Sequence, residues 1–270
     1  DGAALGLDAL QIDLAIGGRF QVAKTLSNVG LCYFGAGDYE RAMSYLERAR
    51  ESHERYGEHD SRADTLLATA EVLIEQRQLA AAQTLVGDAA ALTQVTQSAY
   101  DTIHERLLRA VLAYELGDAR TAVARAFEAR QAAEVQAYAA FHFYAMAVEA
   151  AARVVDGEVH TGVLLATTAL GAIDTLQGSE YGLQTRALCV EALQRAGSPQ
   201  AAELRGRALR FVEKSSGMLR SAELRKRFAR RPAVAFLTGD ATPERVRATE
   251  TGSVVGRTGV SHHGVGESEA

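Results

Sequence analysis

A spacing of 40 residues is the feature that most constrains how this chain folds. Glycine recurs at this spacing in four of five places, namely Gly37, Gly117, Gly157 and Gly197, with Arg77 in the remaining one. A small residue recurs at the same spacing five times: Ala42, Ala82, Ala122, Gly162 and Ala202. A fixed period of this size is typical of stacked units of two helices, each of which buries its apolar face against its neighbours.

The stretch from Leu26 to Ala49 shows what one unit contains. Its apolar and small residues lie three or four positions apart, which predicts two helices separated by the glycine-containing turn Gly35–Asp38. The same reasoning predicts five helix pairs: 20–34 with 39–56, 62–75 with 79–93, 99–116 with 120–135, 138–155 with 159–176, and 180–196 with 199–214.

This unit resembles the tetratricopeptide repeat. Seven residues occupy the positions that define that motif: Leu26, Val29, Gly30, Tyr33, Ala42, Leu46 and Ala49. The resemblance implies an all-α fold, a right-handed α-α superhelix in which residues 19–216 form about five helix pairs and a concave groove. The period exceeds the 34 residues usual for the motif. Longer helices of this kind resemble the C-terminal arrays of large bacterial signalling proteins.

Both ends differ from the repeats. Residues 1–18 predict a lone helix left over from a truncated preceding repeat, so we expect further chain before residue 1. Residues 217–237 predict a C-terminal cap: a helix over 218–230 that packs through Leu224 and Phe228 and is stopped by Pro232. Val234, Phe236 and Leu237 are expected to pack back onto the stack. Its basic side chains are expected to face water: Arg220, Arg225, Lys226, Arg227 and Arg230. The Gly/Ser/Thr-rich residues 238–270 predict a flexible tail.

Composition excludes several classes of function. The chain carries a net charge of −5, which argues against nucleic acid as a partner, although residues 205–231 are strongly basic. No run of 18 apolar residues exists, so no membrane span is predicted. Cys32 and Cys189 are interpreted as two reduced thiols in the core, which indicates a cytoplasmic protein.

Catalytic and metal-binding patterns are not found in the sequence. His53 and His59 lie six residues apart, whereas two zinc ligands on one helix face lie four apart. No phosphate-binding loop and no nucleophile elbow occur. We therefore predict no enzyme activity, no metal and no cofactor.

The resemblance places the binding residues on the inner faces of the first helix of each pair. The predicted groove consists of Lys24, Asn28, Leu31, Leu67, Glu71, His104, Leu108, Val111, Tyr114, Tyr144 and Val148. The helix around Tyr144 is apolar almost all round. Such a helix is either covered by its neighbours or exposes a patch for a partner, a peptide or a second copy of the chain.

Together these features predict a non-catalytic module for protein–protein interaction, a scaffold that binds a partner protein or peptide in the groove. The resemblance implies that it is the regulatory or sensor part of a larger bacterial signalling protein, with a Ser/Thr kinase or ATPase domain upstream. The alternative is a sensor that binds a short peptide or small apolar ligand and changes the pitch of the superhelix.

Overall fold

The computed structural model of the chain describes residues 2–16, 19–56, 59–176 and 180–241, and this part contains thirteen helices and no strand. The prediction of an all-α fold is therefore confirmed. The helices are α1 Gly2–Ile16, α2 Arg19–Gly35, α3 Tyr39–Tyr56, α4 His59–Glu75, α5 Leu79–Thr96, α6 Ala99–Glu115, α7 Ala119–Val135, α8 Ala139–Val155, α9 Val159–Ile173, α10 Gly182–Arg195, α11 Ala201–Gly217, α12 Ala222–Ala229 and α13 Pro232–Thr238.

Ten of these helices, α2 to α11, form five consecutive antiparallel pairs, which we call repeats one to five. The first helices of successive pairs contact each other, so α2, α4, α6, α8 and α10 form one inner layer. Small residues let the two helices of a pair approach closely. A methyl group added at Gly30 would lie 2.8 Å from the Leu46 side chain, and one added at Gly162 would lie 2.5 Å from Val154.

The turn between the two helices of each pair explains the 40-residue spacing. All five residues at that spacing have a positive φ: Gly37 at 76°, Arg77 at 64°, Gly117 at 84°, Gly157 at 95° and Gly197 at 64°. The next residue donates its N–H to the carbonyl five positions earlier, as Asp38 does to Tyr33 at 2.9 Å. This is a Schellman turn, which favours glycine because the left-handed conformation crowds a side chain.

Most of the core lies in the inner layer and in the seams between helix pairs. The largest cluster runs through repeats two to five, and smaller clusters lie under repeat one and under α11 to α13. Helix α1 packs on α2 and buries Ala3 and Leu10 there. Its assignment to a truncated repeat stays a prediction, as do the proposed domain boundaries.

Two predictions about the end of the stack and the cysteines are wrong. The single capping helix is two short helices, α12 and α13, and Pro232 begins the second because its missing N–H is harmless in the first turn. Cys189 is buried as expected, but Cys32 is exposed on α2, beside Gly2 of α1. The tail prediction falls mainly on residues 242–270, outside the described residues.

Among the described helices, none has the length and the apolar composition needed to cross a bilayer.

Candidate functional site: a central cavity closed by the C-terminal helices

The inner layer lines a half-open cavity, which we call the central cavity, with a volume of about 120 Å³. Its walls come from α2, α4, α6, α8, α10 and α13, which belong to every repeat and to the C-terminal cap formed by α12 and α13. The apolar lining includes Phe34, Ile74, Leu108, Val111, Tyr114, Tyr144, Val148, Ala187, Leu188, Ala233 and Phe236. The cavity is therefore the place where side chains from distant parts of the chain converge.

Four carboxylates line the mainly apolar cavity, beside Arg77 and Gln184: Glu71, Glu75, Glu115 and Glu191. Three of them are paired with groups of the repeats. Glu71 bonds His104 at 2.9 Å, Glu115 pairs with Arg77, and Glu191 accepts from Tyr114 at 2.9 Å and from Arg195 at 3.1 Å. These pairs join helices of the inner layer to one another, the turn after α4 to α6, or two turns of one helix. Each pair satisfies a charge that would be costly to bury alone.

The fourth carboxylate, Glu75, is held from two sides. Arg231 donates from Nη2 to Glu75 Oε1 at 2.5 Å and from Nε to Oε2 at 3.1 Å, which is the bidentate arrangement preferred by guanidinium and carboxylate. The Tyr39 hydroxyl donates to Oε2 at 2.6 Å. Burial and the neighbouring carboxylate raise the pKa of Tyr39, so its phenol remains a proton donor.

The C-terminal cap reaches the first repeat through two arginines, and we call this the closing contact. Arg231, only 4% exposed, also donates to the Gly35 carbonyl at 3.0 Å and lies 5.0 Å above the Phe34 ring. Arg227 pairs with Asp38 at 3.2 Å. A methyl group on Gly37 would be 2.7 Å from the Arg227 carbonyl oxygen. The two ends of the stack therefore touch and close it over the cavity.

An aromatic cluster around His104 adjoins the cavity and joins repeats three to five. The Tyr181 hydroxyl lies 3.3 Å from His104 Nε2, and the His104 ring stacks on Phe141 at 5.3 Å. Tyr181 also stacks on Tyr144 at 5.0 Å. Burial raises the pKa of both tyrosines well above the ordinary value, so both stay neutral hydrogen-bonding groups.

The structure brings six of the eleven predicted groove residues to the central cavity: Glu71, Leu108, Val111, Tyr114, Tyr144 and Val148. Leu67 and His104 are buried beside it and belong to the packing of the inner layer. Lys24, Asn28 and Leu31 lie on α2 and do not line it; Lys24 and Asn28 are exposed and Leu31 is half-buried. The predicted role of these three in binding stays a prediction.

Helix α8 is covered by its neighbours, which is the first of the two alternatives for this apolar helix. Its residues from Tyr144 to Ala152 are all buried within the chain. Even Glu149 is 1% exposed, and it accepts from Arg130 at 2.8 Å and from Arg153 at 2.9 Å. A second copy of the chain would find little exposed apolar surface on this helix.

Sequence reasoning missed the residues that close the cavity: Phe34, Glu75, Arg227, Arg231 and Phe236. The basic side chains of the cap were expected to face water, and this was wrong for Arg227, which is half-buried against repeat one. The sequence did contain one usable signal. Carboxylates lie at or just after the ends of α2, α4 and α6, and the C-terminal cap is basic, so the cap can pair with these carboxylates. The described residues contain no cluster of three or more His, Cys, Asp or Glu side chains that could hold a metal.

The stacked helix pairs and their inner cavity define an α-solenoid of the kind used for binding. Residues 21–94, which span repeats one and two, match the sequence family described as the tetratricopeptide repeat. The tetratricopeptide repeat is therefore shown for helices α2 to α5, and the later helix pairs continue the same architecture. No curated protein sequence matched it.

Among solved structures, the chain resembles the crystal structure of a Rap protein complexed with Competence and Sporulation Factor. The TM-score is 0.57 at 15% identity, and the alignment covers 82% of this chain and 63% of the Rap chain. This chain thus spans less than two thirds of that protein's length. At this identity the likeness shows the superhelical fold, which agrees with the predicted fold class.

Proposed function

We propose that this chain is a non-catalytic interaction module that binds a partner protein or peptide at the central cavity. The observation that supports this most directly is the convergence of α2, α4, α6, α8 and α10 on one mainly apolar cavity with a few polar groups. Cavities of this composition are typical ligand sites. The solved Rap structure with a similar fold is itself a complex, with Competence and Sporulation Factor.

The test compares two leucines in the full chain. Leu188 lines the cavity and is half-buried, whereas Leu164 is 61% exposed on α9. Proteins captured from the source organism by the unmodified chain and by Leu164→Asp, but not by Leu188→Asp, would identify the partner and support the site. Circular dichroism must first show that both variants are folded. Equal capture by all three proteins would place binding on another surface.

The size of the cavity favours a second candidate, a sensor for a small apolar ligand. A volume of about 120 Å³ suits a molecule of roughly benzene size. A small apolar ligand should raise the thermal midpoint of the unmodified chain but not that of Leu188→Asp. Small-angle scattering tests the second property of the sensor, because the ligand should change the dimensions of the superhelix when it binds.

A regulatory role in a larger bacterial signalling protein, a scaffold function and a cytoplasmic location complete the proposal. They rest on the resemblance of the 40-residue period to bacterial regulatory arrays and on the cysteine content.

A further inference from the structure

Glu75 differs from the other carboxylates of the central cavity in the origin of its cation. The other three are paired within the repeats: Glu71 with His104, Glu115 with Arg77, and Glu191 with Arg195. Glu75 instead takes Arg231 from the C-terminal cap, 156 residues further along the chain. Among the four, it is therefore Glu75 that would lose its cation if the cap moved away from repeat one.

The surroundings of Arg231 are specific for a guanidinium group. Both oxygens of Glu75 face Nε and Nη2, the Gly35 carbonyl faces Nη1, and the Phe34 ring lies under the guanidinium carbon at 5.0 Å. A planar fork that stacks on an aromatic ring is what arginine offers and lysine does not. Burial disfavours the charge on Arg231, but Glu75 outweighs it and raises the pKa of the guanidinium.

The residues after Arg231 continue along the cavity wall. Pro232, Ala233 and Phe236 face the cavity, while Val234 and Leu237 pack into the cluster under α10 and α11. This side of the cavity is therefore already occupied by an arginine that is followed by apolar residues.

We propose that Glu75, the Gly35 carbonyl and Phe34 form a binding site for an arginine side chain, which Arg231 occupies from within the chain. This inference rests on the proposed binding function of the cavity. A partner protein takes the site with an exposed segment that presents arginine next to apolar residues. The partner binds when the closing contact opens. Arg231 therefore competes with the arginine of the partner and lowers the apparent affinity of the chain for the partner.

The first test uses the acetylated peptide RPAVAFL, which copies residues 231–237, and the same peptide with neutral citrulline in place of arginine. Their binding is measured by calorimetry to the full chain, to Arg231→Ala and to Arg230→Ala, the exposed neighbouring arginine. We expect Arg231→Ala to bind the arginine peptide at least tenfold more tightly than the other two proteins. The citrulline peptide, and the double variant Arg231→Ala/Glu75→Gln, should show no such gain.

Equal binding of the arginine and citrulline peptides by Arg231→Ala, or no binding of either, would overturn the proposal. A second measurement covers the case in which Arg231→Ala folds poorly. Ethylguanidinium at millimolar concentration should raise the thermal midpoint of Arg231→Ala, whereas ethylammonium should not, and neither should affect Arg230→Ala. An identical response to the two cations would show that the pocket does not recognise guanidinium.

The two proposals fail in different ways. If Leu188→Asp loses the captured partner while Arg231→Ala gains no affinity for the peptide, the cavity binds but the arginine site is wrong. If the peptide result holds while Leu188→Asp captures the same proteins as the unmodified chain, the proposed function at the cavity is wrong.

Discussion

The turns of repeat one and repeat three have the same local structure but different surroundings. Gly37 and Gly117 have φ values of 76° and 84°. The aspartates that follow both begin the next helix: Asp38 accepts the N–H of Arg41 at 3.3 Å and Asp118 that of Thr121 at 3.1 Å. Yet Asp38 is 1% exposed beneath the cap, whereas Asp118 is exposed.

The comparison shows that the same local turn can also form a tertiary contact in one repeat and not in another. In repeat three, glycine and aspartate only reverse the chain and begin a helix, and a side chain added at Gly117 would meet open space. In repeat one, the same two residues also receive the backbone and side chain of Arg227. The local motif is identical, so only the tertiary contact tells the two turns apart.

The largest effect should come from adding a methyl group at each turn. Gly37→Ala forces a left-handed alanine and places its Cβ 2.7 Å from the Arg227 carbonyl, so the cap must shift. We expect a loss of about 3 kcal/mol in the free energy of unfolding, the sum of backbone strain and overpacking. Gly117→Ala should lose about 1 kcal/mol, because only the backbone strain applies there. Urea unfolding measures both, and equal losses would mean that the closing contact adds nothing to stability.

A smaller effect should follow from removing the charge of Asp38 while keeping a side chain that can begin helix α3. Asparagine begins helices as well as aspartate does. Asp38→Asn therefore keeps the helix start and removes the buried carboxylate that pairs with Arg227 and Arg41, for an expected loss of about 1 kcal/mol. Asp118→Asn should lose clearly less in the same urea experiment. The reverse order would show that Arg227 gains nothing from Asp38.

The smallest effect should be a dependence of stability on pH, which arises from His104 and not from either turn. Burial disfavours the charged form of His104, but its hydrogen bond to Glu71 and the charges of Glu71 and Asp64 raise its pKa above the ordinary value. A raised pKa means that this stabilisation is complete below about pH 6.5 and is lost as pH rises through the folded value.

Thermal midpoints between about pH 6 and pH 9 test this expectation, since aspartate and arginine ordinarily titrate outside that range. Asp38→Asn and Asp118→Asn should keep the decline of the unmodified chain with rising pH, and His104→Gln should flatten it. A decline that survives in His104→Gln would assign the pH dependence to another group.

The repeating part of the fold could be predicted because its signals are local. Glycine at a left-handed position and alanine where two helices cross follow from contacts between neighbours in sequence, so the spacing places the helix pairs. The inner positions of α6 and α8 follow in the same way, which is why Leu108, Val111, Tyr114, Tyr144 and Val148 were predicted for the groove and do line the cavity.

The closing contact could not be predicted in this way. Arg227 and Asp38 lie 189 positions apart, and Arg231 and Gly35 lie 196 apart. No periodicity connects them. A run of arginines is usually solvated, so burial of Arg231 depends on a partner that only the assembled stack supplies. The lining of the cavity by α13 was missed for the same reason.

The closing contact also divides the folding of this chain into two kinds of event. Helix pairs join residues close in sequence, and such contacts form rapidly, one repeat after another. Bringing Arg231 to Gly35 joins residues 196 positions apart, which costs more conformational entropy and must wait until the repeats between them are in place. During synthesis, repeats one to four can therefore assemble before Glu75 is paired with Arg231, and repeat one gains the closing contact only after α12 and α13 have been made.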